Sequence, residues 1–448
     1  MNRIVPIIAL LCGFVPPAMA TQELPLTLQE AVSQALAKRT EMRMEKAQLD
    51  IAQSKIQQAR SAFLPTLDLS SVTQRATLYD TFSGVAITGQ IGGQDVALAL
   101  TKTSPPYQVS NRLELGYTLY SGGRDTAYLA ETLRSQDAAR AQQKITERKV
   151  ILQTAQAYWA LRKAQVYTQS AARAEQFARV GDALAQTQLQ AGRISALERQ
   201  TAALKVLEKE TAAIQAKNQL VEEVRKYRSA LGFRGNETDD TDAIPPLTDE
   251  PEQTYDFIDS AADQPELLKT QAETQASQAR IQAARAAYKP KVELYAQYGV
   301  IGRDGSDPVS VWSSQKSDYA AIGLRLNLNL FDGFKSAAGV QQARAEAELA
   351  QLRGDQMHVA LTDATRDKVL RLETARSTLT LAQKQWELAR MKENIAKTRW
   401  QSGQGPEFEY QQAQIESRDA DDKVLLSRID ITLARLELML VSTNYSRS

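Results

Sequence analysis

The chain has 448 residues, 54 Lys and Arg against 53 Asp and Glu, and a single cysteine, Cys12, within its first twenty residues. A near-neutral balance argues against nucleic acid as a partner, since nucleic-acid binders show basic patches. Beyond Cys12 the chain has no thiol for a disulfide, a thiolate metal site or a Cys nucleophile. Mean hydropathy is −0.39 and no later run of 18 apolar residues occurs, so no helix is expected to cross a bilayer. Any membrane segment has to be built from β-strands.

The start sets the compartment. Met1-Asn2-Arg3 is a short basic opening, Ile4 to Val15 is mostly apolar, and Ala18-Met19-Ala20 follows Pro16-Pro17. That pattern predicts a secretory signal peptide over 1–20, cut after Ala20. The apolar run is too short to span a bilayer as an anchor.

Residues 21–235 form a first repeat. Leu28, Ala31, Val32, Ala35 and Leu36 have helical spacing, and one helix is predicted from Leu28 to Ala62, stopped by Pro65. The period then changes from 3.6 to 2. Leu113, Leu115, Tyr117 and Leu119 alternate with Arg112, Glu114, Gly116 and Thr118, and Leu67 and Leu69 begin a partner strand. A β-hairpin over about 65–120 is expected, with a long loop from Thr73 to Ser110. From 123 to 190 the chain is dense in strong helix formers, with no proline. At 1.5 Å per residue this is a rod of roughly 100 Å. Gly192-Arg193-Ile194-Ser195 then supplies a turn, since Gly accepts positive φ just past a helix end. A returning helix over 196–231 carries Leu207, Ile214 and Val221 seven apart.

An acidic stretch at 236–252, with Pro245-Pro246, reads as a solvated linker. Residues 253–442 repeat the first plan: a helix ending at Pro290, a β-hairpin over about 290–331, a long helix over 334–401, the turn Gly403-Gln404-Gly405-Pro406, and a returning helix over 407–441. In the second hairpin, Ile322, Leu324, Leu326, Leu328 and Leu330 alternate with polar residues or glycine. In the last helix, Leu426, Ile429, Leu433, Leu436 and Leu440 step by 3, 4, 3 and 4, which predicts a coiled-coil seam with the preceding rod. Residues 443–448 are a short tail. The duplication is explicit: Tyr120-Ser121-Gly122 and Phe331-Asp332-Gly333 lie 211 residues apart, as do Ala191-Gly192 and Ser402-Gly403.

Strands apolar on one side and polar on the other suit either a hairpin half-buried on helices or a transmembrane barrel. Their length of about 9–11 residues is that of a tilted bilayer-spanning strand, which favours the barrel. Four strands cannot close a barrel, and open edges are not tolerated in lipid. The strand number therefore predicts an obligate oligomer.

The order of elements, the duplication, the phrases Leu119-Tyr120-Ser121-Gly122-Gly123 and Leu330-Phe331-Asp332-Gly333, and the phrase Leu189-Gln190-Ala191-Gly192-Arg193-Ile194-Ser195 together resemble the TolC family of outer-membrane channel-tunnels. The resemblance implies a mainly α fold with a small β part, in which long helical hairpins and two β-hairpins per chain trimerise into an α-barrel tunnel and a 12-stranded outer-membrane barrel. It implies an exit duct for efflux or type I secretion, located in the outer membrane and reaching into the periplasm. The partners it implies are two further copies of the chain, outer-membrane lipid, a periplasmic membrane-fusion adaptor and an inner-membrane ABC or proton-driven transporter. The adaptor- or pump-facing tips would be Leu189, Gly192, Arg193, Ile194 and Ser195 with Trp400, Gly403, Gln404, Gly405 and Pro406. The tunnel constriction would fall at Glu198, Glu409 and Gln412. Gln412 replaces an acid of the family's ring, and Gly405 replaces a basic residue that ties the closed state.

No catalytic or cofactor site is expected. Gly122-Gly123 lacks Rossmann or P-loop spacing, and His358 is the sole histidine, too little for a triad or a His-based metal site. The competing reading is a periplasmic coiled-coil adaptor or scaffold. Adaptors carry one helical hairpin between β-rich domains, whereas this chain predicts two hairpins and no β-rich half.

Overall fold

A computed structural model describes residues 27–75, 86–91, 94–99, 107–233, 264–304, 307, 309–313 and 316–441. The signal peptide, the acidic linker and the tail lie outside the described residues. The helices are α1 (Leu28–Lys38), α2 (Thr40–Ser61), α3 (Arg124–Gln190), α4 (Ala196–Ala230), α5 (Pro265–Arg285), α6 (Lys335–Gln401) and α7 (Glu407–Val441). The strands are β1 (Thr66–Arg75), β2 (Ala86–Ile91), β3 (Gln94–Ala99), β4 (Tyr107–Tyr120), β5 (Lys291–Asp304) and β6 (Lys316–Asn327). Two compact units form, and α3 and α6 supply residues to both.

The first unit draws on the described residues within 1–40, 148–260 and 368–440. Its core joins Leu28 and Val32 of α1, Tyr158, Trp159 and Leu161 of α3, Val224 and Tyr227 of α4, and Ile429, Leu436 and Leu440 of α7. Tyr158 meets Trp159 edge-on at 5.2 Å and Tyr227 at 6.0 Å, an arrangement that favours ring edges against ring faces. Ile429, Leu433, Leu436 and Leu440 of the α7 heptad thus feed a core shared with α1, α3 and α4. Of the residues seven apart on α4, Leu207 and Ile214 are exposed and Val221 is half-buried.

The predicted single helix over 28–62 is two helices. Arg39 is extended, with φ −63° and ψ 138°, and its N–H caps Ala35 O at 2.9 Å. Gly232, at φ +84°, leaves room for only a hydrogen there. A Cβ on it would stand 3.2 Å from the backbone of Lys38 and Arg39.

The second unit draws on the described residues within 41–147, 261–367 and 441–448. Its helices meet through small residues, Ala138 and Ala141 of α3, Ala272 and Ala276 of α5, and Ala343 of α6, all buried. Arg280 ties them by bonding Glu131 at 2.6 Å and Glu346 at 3.2 Å.

Four antiparallel strands make one sheet in the order β1-β4-β5-β6. The two repeats are joined by β4 against β5, with Asn111 opposite Val300. β2 and β3 form a separate two-stranded sheet. The stretch expected as one long loop therefore holds a third hairpin. β6 ends at Asn327, so Leu328 and Leu330 lie past the strand and correct the expected end near 331.

Candidate functional site

Each long helix ends in the same turn. Gly192 has φ +68° and Gly403 has φ +73°. In the first turn, the Gly192 N–H donates to Leu189 O at 2.9 Å and the Arg193 N–H to Gln188 O at 2.8 Å. In the second, the Gly403 N–H donates to Trp400 O at 3.0 Å and the Gln404 N–H to Arg399 O at 2.8 Å. Both are the paired bonds that satisfy the last carbonyls of a helix when glycine turns left-handed.

The two tips then diverge. At the first, Ser195 caps α4. Its Oγ accepts from the Glu198 N–H at 3.2 Å, and Glu198 accepts the Ser195 N–H at 2.7 Å, a reciprocal capping box. The Ser195 N–H first and its hydroxyl second hold the Glu198 carboxyl below its usual range. Arg199 clamps back to Asp182 at 2.7 Å.

At the second tip, Pro406 takes the place of Ser195 and brings no capping hydroxyl. Aromatic contacts serve instead. Trp400 stacks on Tyr410 at 5.3 Å and 9°, and Phe408 stacks on Phe177 of α3 at 4.9 Å and 16°. Gly181 lies under the Phe408 ring, where a Cβ would sit 3.6 Å from it. Arg399 stands 4.0 Å from Glu409.

Of the expected constriction residues, Glu198, Glu409 and Gln412 are all exposed. Gln412 turns its amide to Glu416 at 3.1 Å, within its own helix. Sequence reasoning missed Arg399, Phe408 and Tyr410. Their signal was register: α3 and α7 run antiparallel, which sets Phe177 against Phe408, and Arg399 and Trp400 immediately precede the turn.

Further from the tips, α3 and α7 are held by charge. Lys163 pairs with Asp430, Arg173 pairs with Asp422 and reaches Asp419 at 3.7 Å, and Ser170 donates to Asp419 at 3.0 Å. Burial pushes the Asp422 carboxyl up, against the opposing pull of Arg173. Arg173 Nε is itself buried without a hydrogen-bond partner.

The sheet of the second unit has two unlike faces. Register places Leu67, Leu69, Leu113, Leu115, Leu294, Ile322 and Leu324 on one face. Leu69 is 76% exposed and Ile322 77% exposed, an apolar surface uncovered among the described residues. The opposite face carries Asp68, Glu114, Glu293 and Arg325. Among the described residues, β1 and β6 each pair on one side only.

Among the described residues no helix is long and apolar enough to cross a membrane, and no group of acidic, His or Cys side chains could hold a metal.

A model of the outer membrane efflux protein family matches residues 31–233 and 259–442. The fold is similar to the crystal structure of a membrane protein from Pseudomonas aeruginosa, at a TM-score of 0.72 and 18% identity, covering 92% of this chain and 93% of that one. It is similar to the outer membrane protein VceC from Vibrio cholerae, at 0.72 and 16%, covering 92% and 95%. It is also similar to the open state of the MtrE outer membrane channel of Neisseria gonorrhoeae, at 0.68 and 16%, covering 92% and 88%. Comparison with curated protein sequences gave no match.

Proposed function

Because this chain belongs to the outer membrane efflux protein family, we propose that three copies assemble into a channel-tunnel that carries solutes across the periplasm and the outer membrane. One observation carries this reading: a four-stranded sheet with one exposed apolar face, one charged face and two unpaired edges. Such a sheet is stable in lipid only when its edges are closed. Three copies side by side give twelve strands, apolar outward and polar inward.

The helices support the same assembly. Leu381, Leu388 and Ile395 of α6 are exposed and seven apart, as are Leu197 and Leu204 of α4. These stripes are seams awaiting helices of neighbouring copies.

The tips at Leu189, Gly192, Arg193, Ile194 and Ser195, and at Trp400, Gly403, Gln404, Gly405 and Pro406, are the surfaces that meet a periplasmic adaptor or an inner-membrane ABC or proton-driven transporter. Glu198, Glu409 and Gln412 line the narrow end. The Arg399–Glu409 pair and the Trp400–Tyr410 stack brace that end in place of the basic residue that Gly405 lacks.

The test is negative-stain microscopy of protein extracted from outer membranes in detergent. Threefold particles with one detergent-embedded end are expected. Soluble monomers, or particles without a membrane-embedded end, overturn the reading in favour of a periplasmic scaffold.

A further inference from the structure

Resting on the channel reading above, we propose that Arg325 sets the charge preference of the barrel by cancelling the carboxylates on its polar face, so that solutes pass without selection for the sign of their charge. Arg325 lies on β6, yet it stands 3.5 Å from Glu114 on β4, across the whole width of β5, and 3.9 Å from Glu293 on β5. Neighbouring strands are about 4.8 Å apart, so the guanidinium bridges about 10 Å of sheet.

The path is cleared by glycine. Tyr295 of β5 is opposite Gly116 on β4 and Gly323 on β6. A Cβ at Gly323 would stand 2.8 Å from the Tyr295 hydroxyl, so only glycine lets the ring lie over that strand. Arg325 sits on this ring at 4.9 Å, a cation over an aromatic face, and reaches past it to Glu114.

The rest of the face is paired around this hub. Glu114 also meets Arg112 at 3.5 Å, and Glu293 meets Lys291. Asp68 lies opposite Glu114 in register. In the helix-proximal half of the polar face, Asp68, Glu114 and Glu293 are thus matched by Arg112, Lys291 and Arg325. Arg325 is half-exposed, whereas Glu114 and Glu293 are more covered, so its positive charge is presented to the passing solute more than theirs. In an enclosed lumen with low-dielectric walls, an unmatched ring of carboxylates would concentrate cations, and lumen side chains tune barrel selectivity.

The experiment is the reversal potential of the full-length trimer in planar bilayers under a potassium chloride gradient. Arg325→Gln is expected to move it toward the cation equilibrium potential, and Glu114→Gln with Glu293→Gln to move it toward the anion equilibrium potential. The unaltered channel is expected to lie between them, and Arg325→Lys to behave as unaltered, because it keeps the charge. The tips are identical in all variants, so differences report the barrel alone. Reversal potentials that coincide across conducting variants overturn the proposal, as does Arg325→Lys behaving like Arg325→Gln, which assigns the arginine to sheet packing. If Arg325→Gln does not assemble, the paired Gln variant decides: an anion shift supports the proposal and no shift overturns it. An unaltered protein that assembles in lipid without conducting overturns the channel reading itself, and the selectivity proposal falls with it.

Discussion

Gly123 and Phe334 are 211 residues apart and hold the same backbone shape, with φ of +90° and +70°. Each precedes a 67-residue helix, and each offers its carbonyl to the N–H four residues on, at 3.1 Å and 3.0 Å. Their neighbours match as well. Ser121 Oγ accepts the Asp125 N–H at 3.2 Å, and Asp332 Oδ2 accepts the Ser336 N–H at 2.8 Å. Phenylalanine is uncommon at positive φ, and the strain is about 1–2 kcal/mol. Phe334→Gly should therefore raise the stability of the folded protein in detergent by roughly 1 kcal/mol. Thermal unfolding checks this, and a fall in midpoint would show that the edge-on contact of Phe334 with Phe331, at 5.7 Å, outweighs the strain.

The tip turns should be intolerant of proline. Gly192→Pro and Gly403→Pro each remove an N–H that closes the helix and demand φ near −65° where +68° and +73° are found. Export should be lost while trimer yield from the outer membrane is unchanged. Export at normal protein levels would show that the tips are not the working end.

At the second tip, Tyr410→Ala should loosen the hairpin, since a stacked aromatic pair contributes about 0.5–1.5 kcal/mol beyond its burial. A higher single-channel conductance is expected. Glu409→Gln should do less, because the Arg399–Glu409 pair is long at 4.0 Å and well exposed.

Asp422 gives a pH prediction with a definite sign. Its folded carboxyl is raised by burial, so its contribution to stability is fully present below the unfolded pKa and is lost as pH rises through the raised folded value. The α3–α7 seam should gain most from Asp422 at pH near the ordinary carboxylate value of about 3.9 and lose that contribution as pH rises above it. Asp422→Asn should flatten that dependence and be neutral or stabilising above neutrality, as removal of a desolvated charge often is. Arg173→Ala should destabilise at the same pH, leaving Asp422 buried without its cation.

Exposed leucines on α6 test the assembly. Leu388→Glu is expected to cut the trimer yield in crosslinking without altering the helix content of the chain. An unchanged yield would mean that this stripe faces solvent or a different partner.

Helix and strand types were legible because period is written in sequence. The runs around Leu113 and Ile322 alternate, and 67 residues without proline dictate a rod. Three features escaped for physical reasons. The break at Arg39 lies against Gly232, far along the chain, a contact that local spacing does not show. The exposure of Leu207 and Ile214 depends on neighbours that a heptad pattern does not identify. The Trp400–Tyr410 stack joins side chains on either side of the turn, which a turn motif does not include. Arg325 was visible only as one polar residue in an alternating strand. Its reach to Glu114 needs the register of three strands.

The pairing of Asn111 with Val300 also bears on how the protein is made. Residues 107–120 are synthesised well before 291–304, so β4 waits with one side unpaired. Pairing over such sequence separation is slow, and a waiting edge is a template for wrong partners. The sheet is thus a late event in biogenesis, and the first half of every newborn chain depends on being kept apart from its siblings until the second half arrives.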